Sequence, residues 1–432
     1  MKTRNLTLMT DLYELTMMQG YFKNMDRNET VIFDAFYRNN PMESGYAICA
    51  GLAQVIEYVE NLHFDNDEIT YLKSLGIFED DFLEYLQNFK FSGSIYAIPE
   101  GSIMFPREPM IKVIAPIMEA QLIETAILNI INHQSLIATK TSRVCYAARG
   151  DGIMEFGLRR AQGPDAGIYG ARAAMIGGCI GTSNVLAGQM FDVPVKGTHA
   201  HSWIMSFPDE YTAFKVYADM YPGACILLVD TYDTLKSGVP NAIRVFTEMR
   251  EAGIPLTFYG IRLDSGDLAY LSKEARKMLD EAGFPEATIC ASNDLDEFLL
   301  HDLKMQGAAI DSWGVGTNLI TSKDCPSFGG VYKLAAIQNE EGEFVPKIKI
   351  SENTEKITNP GNKTIYRIYE KASGKIKADL ICFADEVIDP KQDLLLFDPM
   401  DTWKKTKLAG GTYTVREILL PIFKNSECLY KS

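Results

Sequence analysis

The sequence predicts an α/β protein whose middle section is a βα barrel, preceded by a smaller mixed α+β domain. Three features lead there. From residue 151 onward, short apolar runs recur about 30 residues apart, each closed by a polar or glycine-rich corner and usually followed by a helix-like stretch. Successive strands joined this way need parallel crossovers, and a long series of them closes into a barrel. Before residue 151 helical spacing alternates with short strands and Pro or Gly breakers, and after Asn339 the chain turns polar, rich in Glu, Gly, Asn and Lys. The expected divisions are 1–135, 136–338 and 339–432, the last packing back on the first.

Taken in order, residues 10–20 begin with a capping threonine and early acids and end near Gly20, which predicts a short helix. Residues 31–38 are a strand closed by the turn Asn39-Asn40-Pro41. Residues 52–89 have helical apolar spacing. Between 93 and 117 the breakers Pro99-Glu100-Gly101 and Pro106-Arg107-Glu108-Pro109 divide a small antiparallel sheet. Residues 118–148 read as helix. The barrel strands then follow at 153–156, 193–195, 224–229, 256–263, 287–291 and 310–313, and from 364–369 and 378–383 short strands return.

Composition sets the outer limits. With 47% apolar and 23% charged residues the chain can bury a substantial core. A net charge of −15 and a pI near 4.9 leave no basic face for nucleic acid. The eight cysteines are never closer than 34 residues, so no paired zinc knuckle exists, and several sit in apolar runs as expected of free thiols in a reducing compartment. No apolar run approaches membrane-spanning length and the N-terminus lacks a signal-peptide core, so a cytoplasmic protein with no membrane partner is expected.

Candidate chemistry gathers at the six corners. Val193-Pro194-Val195-Lys196-Gly197-Thr198-His199-Ala200-His201 carries two of the chain's five histidines. His201 there could serve as acid, base, metal ligand or phosphoryl acceptor, with His199 supporting the loop. The other corners are Gly157-Leu158-Arg159-Arg160, Asp230-Thr231-Tyr232-Asp233, Asp264-Ser265-Gly266-Asp267, Ser292-Asn293-Asp294 and Gly314-Val315-Gly316-Thr317-Asn318. In a βα barrel they share the rim where active sites are built. Asp264 and Ser265 have an ordinary alternative, capping the helix that starts near Leu268. Arginines and glycine-rich turns suit phosphate, aspartates suit Mg²⁺ or sugar hydroxyls, and Phe156 and Tyr13 could clamp a flat ring. These residues describe a barrel enzyme for a phosphorylated sugar and an anionic planar partner.

Six stretches carry a resemblance to a known family. Asp11-Leu12-Tyr13, Phe156-Gly157-Leu158-Arg159-Arg160-Ala161-Gln162-Gly163, Gly181-Thr182-Ser183-Asn184, Gly197-Thr198-His199-Ala200-His201-Ser202, Asp230-Thr231-Tyr232-Asp233 and Gly260-Ile261-Arg262-Leu263-Asp264-Ser265-Gly266-Asp267 together resemble the nicotinate phosphoribosyltransferase family, over residues 10 to about 334. The resemblance implies a type II phosphoribosyltransferase fold, an irregular α/β barrel with an α+β sandwich-like N-terminal domain, working as a homodimer with shared active sites. It implies that nicotinate and 5-phosphoribosyl 1-diphosphate give nicotinate mononucleotide and diphosphate, with ATP hydrolysis coupled through a phosphohistidine at His201. By position, Phe156 and Tyr13 would sandwich the pyridine ring, Tyr13 from the second subunit. Arg159 and Arg262 would hold anionic groups, and Ser183 and Thr198 would also bind substrate. Asp230 and Asp264 would contact ribose or Mg²⁺, with Asp264 the metal ligand, and Gly316 and Thr317 would bind the 5-phosphate.

Ring choice turns on Ser183. Related nicotinamide enzymes resemble this pattern but carry an acid at the aligned position, where it can accept from an amide; a serine can instead donate to a carboxylate. Quinolinate phosphoribosyltransferase would need a more basic pocket and no ATP, and the histidine corner argues against it. A non-catalytic nucleotide sensor would not need the His, Asp and Arg corners intact.

Overall fold

Thr30–Tyr37 is apolar at most positions and buried along almost its whole length, so it must lie inside a sheet rather than at an edge. The computed structural model, which describes residues 4–353, 356–399 and 401–430, places it at the centre of an antiparallel sheet. That sheet belongs to the first of two units, Met1–Ser135 with Ser327–Ser432. Its order is Phe344–Pro346, Gly330–Gln338, Thr30–Tyr37, Ile111–Pro116, Ser94–Ala97, Leu420–Lys424 and Glu427–Cys428. Gly330–Gln338 thus pairs with Thr30–Tyr37 instead of continuing the barrel segment, and the chain after Ser327 completes the first unit.

The polar tail holds more regular structure than its composition suggests. Lys363–Glu370 pairs with Ile376–Phe383 and Tyr413–Glu417, and Leu394–Phe397 pairs with Lys405–Leu408. Part of its cohesion is ionic. Lys363 Nζ lies 2.8 Å from Asp34 Oδ2 and Arg367 Nη2 lies 2.6 Å from Asp379 Oδ2, all four side chains nearly excluded from solvent. Buried charges persist only when paired and hydrogen-bonded in this way. The N-terminal helix, Leu12–Asn24, is longer than the predicted segment and starts from Asp11 rather than Thr10.

The second unit, Leu136–Pro326, is organised by six parallel strands. In chain order they are β1 (Gly152–Glu155), β2 (Gly181–Thr182), β3 (Cys225–Leu228), β4 (Tyr259–Leu263), β5 (Thr288–Asn293) and β6 (Ser312–Val315). Their order in space is β2-β1-β6-β5-β4-β3. The sheet curls into the half-barrel of an irregular α/β barrel. Every pairing is parallel, so all six carboxyl ends face one rim. Crossover helices cover the sheet with one apolar face; Val239–Glu251 buries Val239, Ala242, Val245, Phe246 and Met249 at helical spacing.

One predicted strand is corrected. Residues 193–195 do not form a strand; Val195 makes a single parallel bridge to Thr182, and the strand in that part of the sheet is β2. Pro194 has no N–H to give a ladder, which keeps this stretch at the margin.

Candidate active site

The corners after β3, β4 and β5 are bound to one another through acids. Asp230, just beyond β3, accepts the Asp264 N–H at 2.8 Å and the Ser265 hydroxyl at 2.7 Å on Oδ2. Asp264, just beyond β4, accepts the Ser292 hydroxyl on Oδ1, which brings in the end of β5. The helix after β4 is capped by Asp267, whose carboxylate takes the Tyr270 N–H at 3.0 Å. Asp264 and Ser265 are therefore not the capping residues, and Asp264 keeps Oδ2 turned to the rim.

His201 faces this pair of acids. It opens the short helix His201–Met205, and its Nδ1 lies 3.1 Å from Thr231 Oγ1. Its Nε2 lies 4.0 Å from Asp230 Oδ1 and 3.8 Å from Asp264 Oδ2. The Asp230 side chain is 2% exposed and its Oδ1 has no hydrogen-bond partner, an acceptor left free beside the imidazole. Arg262, in β4, donates from Nη1 to Thr198 Oγ1, while its buried Nε is also without a partner. An orphaned acceptor and an orphaned donor at one rim are what a polar ligand would satisfy.

The histidine beside it does something else. The Leu228 N–H of β3 donates to His199 Nε2 at 3.3 Å. Burial pushes the His199 imidazole down to about 4, with Arg262 and His201 adding to the shift.

The corners after β1, β2 and β6 form a second group. Phe156 donates its N–H to Val315 O at 2.8 Å, and its ring covers Gly314 so closely that a methyl group there would collide with it. Gly316 precedes the turn Thr317–Ile320 and accepts the Leu319 and Ile320 N–H groups. Glu155 at the end of β1 is fully buried and accepts from the Gly157 N–H and, at 2.6 Å, from the Thr182 hydroxyl. Burial raises its carboxyl above the usual range. The Ser183 N–H is held by Glu155 O at 2.9 Å, so one residue orients both the Phe156 turn and Ser183.

Two predicted residues, Arg159 and Tyr13, are exposed in their own units. Arg159 lies exposed on the turn Leu158–Arg160. Tyr13 belongs to the first unit, on Leu12–Asn24, and is 46% exposed; burial of its hydroxyl with Glu124 and Glu14 nearby raises the phenol well above its usual range. Among the described residues no group of three His, Cys, Asp or Glu side chains closes on a metal position. Thr231, Ser265 and Ser292 stand in predicted corners but were given no site role there, and Glu155 was missed. The available signal was the corner itself for the first three and, for Glu155, its place directly before Phe156.

Strand-end acids, a histidine and an arginine on the carboxyl rim of a curled parallel sheet define a barrel enzyme first. The comparisons then narrow the class. Residues 8–132 match the nicotinate phosphoribosyltransferase N-terminal domain, 152–370 the nicotinate phosphoribosyltransferase family, and 362–432 its C-terminal domain. The chain is 51% identical over 93% of its length to nicotinate phosphoribosyltransferase of Bacillus subtilis, covering 81% of that protein. It is 42% identical over 84% of its length to a Mycobacterium tuberculosis nicotinate phosphoribosyltransferase, covering 76% of it. Human nicotinic acid phosphoribosyltransferase superposes with a TM-score of 0.84 at 28% identity, over 98% of this chain and 90% of that one. The chain belongs to the nicotinate phosphoribosyltransferase family. No helix among the described residues is long and apolar enough to cross a membrane.

Proposed function

We propose that this protein joins nicotinate to 5-phosphoribosyl 1-diphosphate, forming nicotinate mononucleotide and diphosphate, and that ATP drives turnover through phosphorylation of His201. The observation that carries this reading is the placement of His201 Nε2 at 3.8–4.0 Å from Asp264 and Asp230, at the rim where Asp230 Oδ1 and Arg262 Nε lack partners. Family membership supports the substrates.

Departure of diphosphate leaves positive charge on the ribose, so the chain's task is to hold the leaving group and keep the ring nitrogen in line. Arg262 and Arg159 supply guanidinium groups for the anions, and Asp230 anchors the Asp264 corner while facing the sugar hydroxyls. Phe156 offers one face to the ring and Ser183 a hydroxyl to its carboxylate; Gly316 and Thr317 offer backbone N–H groups to the 5-phosphate. His201 takes the phosphoryl group from ATP beside the diphosphate position. Asp264 would hold Mg²⁺ together with substrate phosphate oxygens, where the ion would spread the charge of the departing diphosphate.

Tyr13 completes the ring clamp from a second copy of the chain, a reading supported by the exposure of Leu12, Tyr13 and Met17 on one helix, at 55%, 46% and 38%. A cytoplasmic setting fits the eight free thiols. The deciding assay is diphosphate release with nicotinate, nicotinamide or quinolinate, each with and without ATP. Release that depends on nicotinate and rises with ATP is expected; release with quinolinate alone, or none, would overturn the proposal.

A further inference from the structure

The six-stranded sheet of the second unit is open between β2 and β3, and one short segment reaches both edges. On the β2 side the link is backbone: Thr182 N–H donates to Pro194 O at 3.0 Å and Lys196 N–H to Thr182 O at 2.9 Å. On the β3 side no backbone pairing follows. There the edge N–H of Leu228 is taken by the His199 imidazole at 3.3 Å, and the neighbouring strand β4 is reached by Arg262 donating to Thr198. The imidazole is 8% exposed and meets the Tyr217 ring edge to face at 4.7 Å between centroids, so it has one packed orientation. Because Nε2 accepts, it carries no proton, and an imidazolium would have no lone pair to offer Leu228.

We propose that His199 is a positioning residue: its Nε2 stands in for a missing strand at the seam between β2 and β3, and so holds the corner that presents His201 to Thr231, Asp230 and Asp264. The inference rests on the reading of His201 given above for its catalytic consequence, though not for the seam itself. His201 follows two residues later and keeps 3.1 Å to Thr231. With the pin removed, the segment 197–201 loses its link to the β3 backbone and keeps side-chain links there, Thr198 to Arg262 and His201 to Thr231.

The test compares two variants of the full-length protein. His199→Leu keeps the apolar packing and removes the acceptor; His199→Gln offers an amide oxygen near the position of Nε2. In His199→Leu the Leu228 amide is expected to lose protection from hydrogen exchange, and ATP-stimulated kcat to fall by about tenfold or more, with KM for nicotinate changing little. His199→Gln is expected to restore both. Should His199→Leu fail to fold, His199→Asn, too short to reach the amide, takes its place. An unchanged Leu228 amide in the variant lacking the acceptor overturns the seam, and so does equal kcat in the Leu and Gln variants. His201→Ala separates the two readings: it should abolish ATP stimulation while Leu228 stays protected. Persistent stimulation there removes the phosphoryl role and leaves the seam standing.

Discussion

Asp230 and Asp264 are joined by a backbone-to-carboxylate bond, the Asp264 N–H reaching Asp230 Oδ2 at 2.8 Å, so the pairing of β3 with β4 is carried past the strand ends by an acid. The Ser265 hydroxyl shares the same oxygen. Removing that carboxylate leaves two donors without an acceptor. Asp230→Ala is therefore expected to lower stability by about 1–3 kcal/mol and to lose activity along with it, while Ser265→Ala, which gives up one of the two donors, costs less. Denaturant unfolding checks the order, and a larger loss in Ser265→Ala than in Asp230→Ala would contradict it.

His201 has its Nδ1 at a threonine and its Nε2 toward two carboxylates. His201→Ala should leave the fold in place, because the residue is partly exposed and starts a five-residue helix. Nicotinate-dependent diphosphate release in the absence of ATP is expected to survive in part, and its rise on adding ATP to vanish. Undiminished stimulation would refute the phosphohistidine.

Ser183 sits directly after β2 with its N–H held by Glu155 O. Ser183→Asp puts a second carboxylate at the place proposed for the nicotinate carboxylate, and like charges at close range in a partly desolvated pocket repel. The expected result is a higher Michaelis constant for nicotinate and relative gain for nicotinamide; an unchanged constant counts against the assignment.

The barrel was legible because its strands are apolar runs with chemistry at their ends, and five of the six predicted segments overlap observed strands. The exception shows the limit of periodicity. Gly181–Thr182 has two residues and no apolar run, whereas Val193-Pro194-Val195 imitates a strand, and only pairing in space tells them apart. The helix cap could not be chosen either, since Asp264, Ser265 and Asp267 are all competent by type; the coordinates give the role to Asp267 and leave Asp264 at the rim. In the tail, Lys363 is buried against Asp34 from a distant part of the chain, and Arg367 is buried against Asp379 on the strand paired with its own. A pair as long-range as Lys363 with Asp34 leaves no local pattern to read.

Glu14, beside Tyr13 in the N-terminal helix, is fully buried, accepts from the Thr125 N–H at 2.9 Å and hydroxyl at 2.6 Å on Oε1, and leaves Oε2 without a partner. Burial raises its carboxyl from 4.5 to about 7, against the opposing pull of the Thr125 bonds. The folded chain therefore holds this proton more tightly than the unfolded one, so the contribution to stability is complete below 4.5 and is lost as pH rises to about 7. Glu14→Gln keeps an acceptor for Thr125 and replaces the orphaned oxygen with an uncharged group. Thermal unfolding across that window should show the two proteins converging at the acid end and the variant more stable at the neutral end; parallel curves would mean that Glu14 titrates normally in the folded protein.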